Sequence, residues 1–211
     1  MYLPRVFEET DRSTLRRFMQ SHPLATLVTM AEDGPCADHV PLLAFEENEE
    51  IVLRGHVARA NPLWRQIEAN STVLVVFHDS GGYISPSWYA TKAETERVVP
   101  TWNYAAVHAR GKARTQHGPE WLHAFLTTLT DTFESTRTSP WKLSDAPDEY
   151  VQAQMKAIVG IEIAVSSLIG KWKMSQNRQS RDIEGVIQGL RSTQEPSSTA
   201  IADEIERRRS R

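Results

Sequence analysis

The stretch LRGHVARANPLWR contains the residues of this chain that are best suited to binding an anion. Arg54 and His56 lie on a predicted strand, and Arg59 follows two residues past its end. Asn61 is a good N-cap and Pro62 suits a first helical turn, so we expect unpaired backbone N–H groups there. Because a guanidinium can donate two hydrogen bonds to one phosphate, these residues together predict a pocket for a phosphate monoester.

The same residues fit a simpler interpretation, in which Arg54 and Arg59 are surface charges and Asn61 starts an ordinary helix. On these residues alone both interpretations stand. The sequence contains neither the GxGxxG pattern of dinucleotide-binding folds nor the GxxxxGK[ST] pattern of P-loops. A phosphate site here would therefore be of another type.

Two aromatic clusters flank a charged stretch at 83–104, which reads YISPSWYATKAETERVVPTWNY. Such a density of Trp and Tyr is unusual in a chain that is only 8% aromatic. Serine, threonine and asparagine accompany the rings, which suits a flat ligand with a polar edge. The candidate binding residues are Ser85, Trp88, Tyr89, Trp102 and Asn103. Some of these aromatic side chains could instead form the core of a dimer.

A basic segment, GKWKMSQNR at 170–178, follows the last predicted strand. Lys171, Lys173 and Arg178 supply positive charge, and Gln176 adds an amide. The segment either contributes to an anion site or is simply a basic connection between the last strand and the last helix.

The side chains that usually bind metals or act as nucleophiles form no recognisable motif. None of the seven histidines has metal-ligand spacing, and Cys36 is the only cysteine, which excludes a cysteine-based zinc site. No serine nucleophile motif accompanies Asp38 and His39. The sequence therefore predicts no catalytic residue and no metal site.

Composition favours a folded protein without broad nucleic-acid affinity. The chain has 211 residues, is 40% hydrophobic and carries a net charge of −3, which argues against charge-driven nucleic-acid binding. No apolar signal core occurs at the N-terminus, and no apolar run approaches the roughly 18 residues of a membrane span. We therefore expect a soluble, cytoplasmic protein without a membrane partner.

The hydrophobic pattern predicts six strands and several helices. The strands are Leu24–Met30, Asp38–Phe45, Ile51–Val57, Thr72–His78, Tyr104–Ala113 and Ile158–Val165. Helical patterns cover 10–20, 61–69, 119–134, 148–157 and 182–190. Six antiparallel strands in a chain of this size predict a mainly β fold (α+β), a small closed barrel with peripheral helices. We predict one domain over residues 1–192, and a polar linker with a basic tail at 193–211.

Taken in order, LRGHVARANP, YISPSWY, VPTWNY and GKWKMSQNR make the chain resemble the FMN-binding negative transcriptional regulators of the PaiB type. These belong to the flavin-binding split-barrel superfamily, whose enzymatic relatives are the pyridoxamine-phosphate oxidases. The resemblance covers residues 1–192. It implies a six-stranded antiparallel Greek-key split β-barrel that forms a homodimer, with FMN in grooves at the dimer interface.

The resemblance also implies roles for the candidate residues. The FMN phosphate would be bound by Arg54, His56, Arg59 and Asn61, the residues that also form the predicted anion pocket. The aromatic clusters would flank the isoalloxazine ring, and neighbouring polar side chains would form hydrogen bonds with its polar edge. The segment at 170–178 would add charge near the pyrimidine or the phosphate of the flavin.

Three functions follow from the sequence: an FMN-binding homodimeric regulator, an FMN-dependent oxidoreductase acting on a small molecule, and a dimeric relative that has lost the cofactor. DNA binding rests on the resemblance alone, because no helix-turn-helix is recognisable. The basic end RRRSR fits a phosphate-binding arm, although such termini are more often solvated tails. Regulation could also be indirect.

Overall fold

The computed structural model describes residues 1–209, which form nine strands and seven helices. The strands are β1 (Glu8–Glu9), β2 (Leu24–Ala31), β3 (Gly34–Pro41), β4 (Leu43–Glu47), β5 (Glu50–Ala58), β6 (Thr72–His78), β7 (Gly82–Ile84), β8 (Thr101–Gln116) and β9 (Ile158–Lys173). The helices are α1 (Arg12–Ser21), α2 (Leu63–Ala69), α3 (Lys92–Thr95), α4 (Pro119–Glu134), α5 (Asp148–Lys156), α6 (Ser180–Ser192) and α7 (Pro196–Arg209).

The chain divides into two compact units. Unit 1 comprises Met1–Leu15, His78–His108 and Ile169–Arg211, and unit 2 comprises Arg16–Phe77 and Ala109–Leu168. The two longest strands, β8 and β9, contribute residues to both units. Within residues 1–209, no helix combines the length and the apolar character needed to cross a bilayer.

Unit 2 is built on an open, mainly antiparallel sheet with the strand order β3-β2-β6-β8-β9-β5-β4. Along β5, burial alternates as expected for a strand with one face in the core: Ile51, Leu53 and Val57 are buried. Arg54 and His56 therefore project from the opposite face, together with their neighbours on β9.

Helices α4 and α5 of unit 2 pack together on a small hydrophobic cluster formed by Leu122, Val151 and Met155. On β9, Gly160 leaves room for the indole of Trp121 from α4, since a Cβ at this position would lie 2.3 Å from the ring. This close approach fixes where α4 lies on the sheet.

Unit 1 joins short strands to the ends of the long ones. β1 pairs antiparallel with β9 through Glu8 and Lys171, and β7 pairs antiparallel with β8 through Tyr83 and Trp102. Helix α6 has glycines at Gly185 and Gly189, one turn apart on a single face. A Cβ at Gly185 would lie 1.9 Å from the backbone oxygen of Trp88, and one at Gly189 would lie 2.2 Å from its indole.

Residues 196–209 form a packed helix, where a polar linker and a basic tail were expected. Helix α7 buries Ile201, Ala202 and Ile205. Burial of each isoleucine side chain stabilises the folded state by about 1.5–3 kcal/mol. Its last turn carries Arg208, which forms a 2.7 Å ion pair with Glu9. Ser210 and Arg211, the last residues of the predicted basic arm, lie outside the described residues.

The prediction of a mainly antiparallel β fold with flanking helices is confirmed, but the sheet is open rather than a small closed barrel, and the strand count is nine rather than six. β1 and β7 are too short to show a periodic pattern. The predicted strand Asp38–Phe45 is two strands, because pairing with β2 ends at Pro41 and pairing with β5 begins at Leu43. β9 continues to Lys173, so the lysines of the basic segment lie on the strand and not after it.

Candidate functional site

The guanidinium of Arg54 lies between two carboxylates of unit 2. Arg54 and Glu162 are directly opposite each other on β5 and β9, and the distance from Arg54 Nε to Glu162 Oε2 is 2.6 Å. Glu47 approaches Arg54 Nη1 at 2.8 Å. Arg114 from β8 also pairs with Glu162. This position of Arg54 is therefore explained by an ion-pair network.

Glu162 is the buried centre of that network, with 6% of its side chain exposed. Burial by itself would raise the pKa of Glu162, but hydrogen bonds and positive charge from Arg54 and Arg114 outweigh it, so the pKa is lowered. The ionised carboxylate therefore stabilises the fold above the pH at which an unfolded glutamate titrates. That stabilisation is lost as the pH falls through the lowered pKa.

Replacing Glu162 with glutamine should destabilise the protein by about 1–3 kcal/mol at pH 7, because two arginines lose their ionised acceptor. Urea unfolding at pH 7 and at pH 3 measures the effect, which should shrink at the lower pH. The control is Glu47→Gln, which removes the more exposed carboxylate partner of Arg54, with 43% of its side chain accessible. Equal losses in both variants, or a loss independent of pH, would contradict the assignment.

Arg59 is held by two backbone carbonyl groups, one in the last residue of α5 and one in the first residue of β9. Its Nε donates to the Lys156 oxygen and its Nη2 to the Ile158 oxygen, both at 2.8 Å. Its Nη1 lies 3.4 Å from His117 Nδ1. Through Lys156, Arg59 satisfies one of the carbonyl groups that a helix C-terminus leaves unpaired.

Asn61 and His56 also have local partners. The Asn61 side-chain oxygen accepts from the Leu63 amide at 2.8 Å, as expected for a cap of α2, and its nitrogen donates to Asp38 Oδ1 at 2.7 Å. The His56 ring contacts Phe125 edge-on at 5.9 Å, and burial lowers its pKa.

The predicted phosphate residues therefore lie in one unit, but protein groups already engage all of them. Arg54 is neutralised by carboxylates, and Asp38 adds negative charge beside Asn61. Arg59 keeps its charge, since carbonyl oxygens are its hydrogen-bond acceptors. Phosphate binding by Arg54, His56, Arg59 and Asn61 stays a prediction, and Arg54 has the least physical support.

Unit 1 contains a second group of cations, which we call the basic cluster: Lys171, Lys173 and Arg178. Lys171 and Lys173 are two residues apart on β9, so they share a face of the strand. Lys171 is buried and its ammonium lies 5.3 Å from the Tyr104 ring. The Arg178 guanidinium lies 4.7 Å from the Tyr89 ring. Within residues 1–209, none of the three forms an ion pair with a carboxylate.

The pKa of Lys173 reflects burial and charge repulsion within the basic cluster. Its ammonium donates to the Trp102 carbonyl at 2.6 Å and to the Thr101 hydroxyl. Burial, followed by repulsion from Lys171 and Arg178, lowers the pKa of Lys173. Three cations that repel one another without a carboxylate are an arrangement that a bound anion would stabilise.

Asn103 supplies an unpaired acceptor in the same unit. Its side chain is 1% exposed, its nitrogen donates to Ser175 Oγ at 2.9 Å, and its oxygen has no partner among the described residues. A buried amide oxygen without a donor costs about 1–3 kcal/mol, which a ligand N–H or a water would recover. Asn103 is thus the candidate polar contact with the best structural support.

The four predicted aromatic and polar residues at 85–102 have different environments. Trp102 is 55% exposed and its ring contacts that of Tyr83, which is 49% exposed. Trp88 packs on the glycine face of α6, and Tyr89 is buried. Ser85 caps a short 3-10 turn by accepting from the Ser87 amide. Trp102 is therefore the side chain most able to stack on a ligand.

Gln176 is used within its own turn. Its side-chain oxygen accepts from the Met174 amide and its nitrogen donates to the Trp172 carbonyl, both at 2.6 Å. The amide therefore stabilises the turn after β9, and a contact of Gln176 with a cofactor stays a prediction.

The sequence interpretation missed Glu162 and the purpose of the two α6 glycines. Glu162 is the single charge in the apolar run IVGIEIAV, and a lone carboxylate in a buried strand signals a paired partner. The spacing of Gly185 and Gly189 signals close packing, but their partner, Trp88, is almost a hundred residues away in sequence. Only the fold brings them together.

Comparisons with known proteins agree with this architecture. The model of a family described as "Putative FMN-binding domain" matches residues 1–167. The chain is 34% identical over 206 residues to "Protease synthase and sporulation protein PAI 2" of Bacillus subtilis, covering 98% of this chain and 97% of that protein. It is also 34% identical over 245 residues to an uncharacterised protein of Emericella nidulans, covering 99% and 97%.

Solved structures share the fold at low sequence identity. An FAD- and heme-binding protein from Mycobacterium smegmatis aligns with a TM-score of 0.60 and 17% identity over 79% of this chain and 73% of that one. A flavocytochrome from Azotobacter vinelandii aligns with a TM-score of 0.58 and 14% identity over 81% and 72%. These matches confirm the predicted split-barrel fold, and the family model agrees with FMN as the predicted cofactor. The chain therefore belongs to the FMN-binding family whose model spans its first 167 residues.

Proposed function

We propose that the protein binds FMN and acts, as a homodimer, as a transcriptional regulator of the PaiB type. The observation that carries the FMN proposal is the basic cluster of unit 1, Lys171, Lys173 and Arg178, where no carboxylate pairs with any of the three within the described residues. The family membership supports the choice of flavin.

The donors and acceptors of unit 1 fit the chemistry of FMN. Lys173 and Arg178 would neutralise the phosphate or the electron-rich pyrimidine edge of the flavin. The unpaired Asn103 oxygen would accept from an N–H on that edge, and Trp102 would stack on the ring. Bound FMN would supply reversible electron transfer, while these side chains bind it, orient it and balance its charge.

The homodimer is supported by the resemblance and by exposed apolar surface in unit 1. Val99, Trp102 and Tyr83 are 63%, 55% and 49% exposed. Apolar surface of this kind often marks an interface.

A regulatory role is supported by the Bacillus relative, whose name refers to protease synthesis and sporulation. Direct DNA contact has weaker support, because the last three arginines within the described residues have protein partners. Arg207 pairs with Glu204, Arg208 with Glu9 and Glu204, and Arg209 with Glu184. We propose that the protein is cytoplasmic. We also propose that it regulates transcription indirectly rather than through DNA contacts of α7.

The alternative is an FMN-dependent oxidoreductase acting on a small molecule. The exposed face of Tyr83 beside Trp102 favours it, because an accessible ring surface could admit a substrate. Turnover of reduced nicotinamide with bleaching of the bound flavin would select this alternative. A sequence-specific gel shift at low salt would select direct regulation.

The FMN proposal is tested by titrating purified, flavin-free protein with FMN and with riboflavin and following the quenching of flavin fluorescence. We expect FMN to bind about 10- to 1,000-fold more tightly, because charge-assisted hydrogen bonds to the phosphate contribute about 1.5–3 kcal/mol each. Sedimentation in the same samples gives the oligomeric state. No saturable binding of either flavin would refute the proposal.

A further inference from the structure

Unit 2 contains a groove of about 980 Å³ lined by the first turns of α4 and the last turns of α5. Cavities of roughly 300–1,000 Å³ hold small organic ligands. None of the unit 1 side chains assigned above to FMN lines this groove, whereas Arg59, one of the predicted phosphate residues of unit 2, does.

The groove has an apolar floor. Leu122 and Met155 line it and are almost completely buried, at 1% and 7% exposure. They belong to the hydrophobic cluster that joins α4 to α5, and Pro119 and Ala124 extend the apolar surface. A ligand with a hydrocarbon or aromatic body would cover this floor and remove it from water.

The rim of the groove is positively charged at one end. Arg59 and Lys156 line it, and within residues 1–209 neither forms an ion pair with a carboxylate. His117 and His123 add two further nitrogen-bearing side chains, against one lining carboxylate, Glu120. The charge of this end is therefore complementary to an anionic head group.

The opposite end carries more negative than positive charge. An adjoining cavity of about 540 Å³ shares His123, Gln152 and Met155 with the groove, and it is lined by Asp131 and Asp148 against one cation, Lys142. An anion would be repelled from those carboxylates. The combined surface thus fixes the direction of a ligand, with its negative group at Lys156 and Arg59.

We propose that this groove binds a small amphipathic carboxylate, a molecule with an apolar body and one anionic end. Lys156 attracts the anionic group, and Leu122 and Met155 contact the body. The site is distinct from the FMN site of unit 1, and it gives the protein a second small-molecule ligand whose chemistry differs from that of the flavin.

The test uses the full chain, both flavin-free and saturated with FMN. The groove is probed with the fluorescent sulfonate 8-anilinonaphthalene-1-sulfonate, which decanoate or the uncharged decanol then displaces. We expect decanoate to displace the probe at a concentration at least fivefold below that of decanol. Lys156→Gln should weaken decanoate binding about fivefold, which corresponds to the loss of one rim charge.

Two further variants keep the result interpretable. Ala124→Trp fills the groove from an exposed position of α4 and should abolish displaceable probe binding. Lys112→Gln removes an exposed lysine of the same unit outside the groove and should leave binding unchanged. Unfolding curves identify any variant that binds the probe through loss of structure.

Three results would overturn the proposal: equal potency of decanol and decanoate, equal binding in Lys156→Gln and Lys112→Gln, or competitive displacement of the probe by FMN. The last result would assign the groove to the flavin itself. Because the flavin titration is measured separately, failure here leaves the proposal that the protein binds FMN intact, and only displacement by FMN would move the flavin site from unit 1 to the groove.

Discussion

Replacing Lys173 with glutamine should weaken FMN binding about 10- to 100-fold, because the loss of one charge-assisted hydrogen bond costs about 1.5–3 kcal/mol. The flavin-free variant should be at least as stable as the parent protein. Burial and the neighbouring cations lower the pKa of Lys173, so its charged form is disfavoured in the folded state. Below the lowered pKa this cost is fully present, and it disappears only as the pH rises toward the pKa of an unfolded lysine.

Flavin titration and urea unfolding on the same preparations measure both effects. Lys173→Arg keeps the charge and should restore most of the affinity, and Lys112→Gln serves as the surface-lysine control. A loss confined to FMN places the amine near the phosphate, whereas an equal loss for riboflavin places it near the ring. Loss of stability in Lys173→Gln, with affinity unchanged, would show that Lys173 is a structural residue.

Replacing Gly185 with alanine should destabilise unit 1 by about 3 kcal/mol, because the new Cβ would lie 1.9 Å from the Trp88 backbone oxygen. Alanine has a higher helix propensity than glycine, which by itself would stabilise the variant by about 1 kcal/mol. A net loss of stability would therefore arise from the steric clash. The contact is with backbone, which cannot move aside as a flexible side chain can. The expected result is separation of α6 from the turn that contains Trp88.

Limited proteolysis between residues 78 and 108, together with tryptophan fluorescence, follows this separation. The matched control is Gly118→Ala, since a Cβ at Gly118 would meet nothing within 4 Å. A stable Gly185→Ala variant with an unchanged cleavage pattern would show that α6 and Trp88 are not packed this closely in solution.

The sequence predicted the elements whose pattern is long and regular. The Pro119–Glu134 helix is found at its predicted bounds, because Pro119 favours a first turn and the apolar residues repeat at helical spacing. The strands Thr72–His78 and Ile51–Val57 were equally recognisable. Helix α7 was missed because its sequence, rich in serine and charge, has buried residues at only a few positions.

The sequence indicated which residue types could form the candidate site, but it did not show the role that each residue has in the structure. The spacing of Asn61 and Pro62 indicated the helix start correctly, but no local pattern showed that Arg54 would meet Glu162 from a strand more than a hundred residues later. Trp88 and Trp102 look alike in sequence. Their difference in exposure arises from α6, which covers one of them, and such distant contacts are not encoded near either residue.

The division of the chain also has a consequence for biosynthesis. Unit 2 is complete once Leu168 has emerged from the ribosome, whereas unit 1 needs its first fifteen residues, a middle segment and a third segment that begins at Ile169. Contacts of long sequence separation form late, and the ion pair between Glu9 and Arg208 spans 199 residues. We therefore expect unit 2 to reach its folded state before unit 1 during biosynthesis.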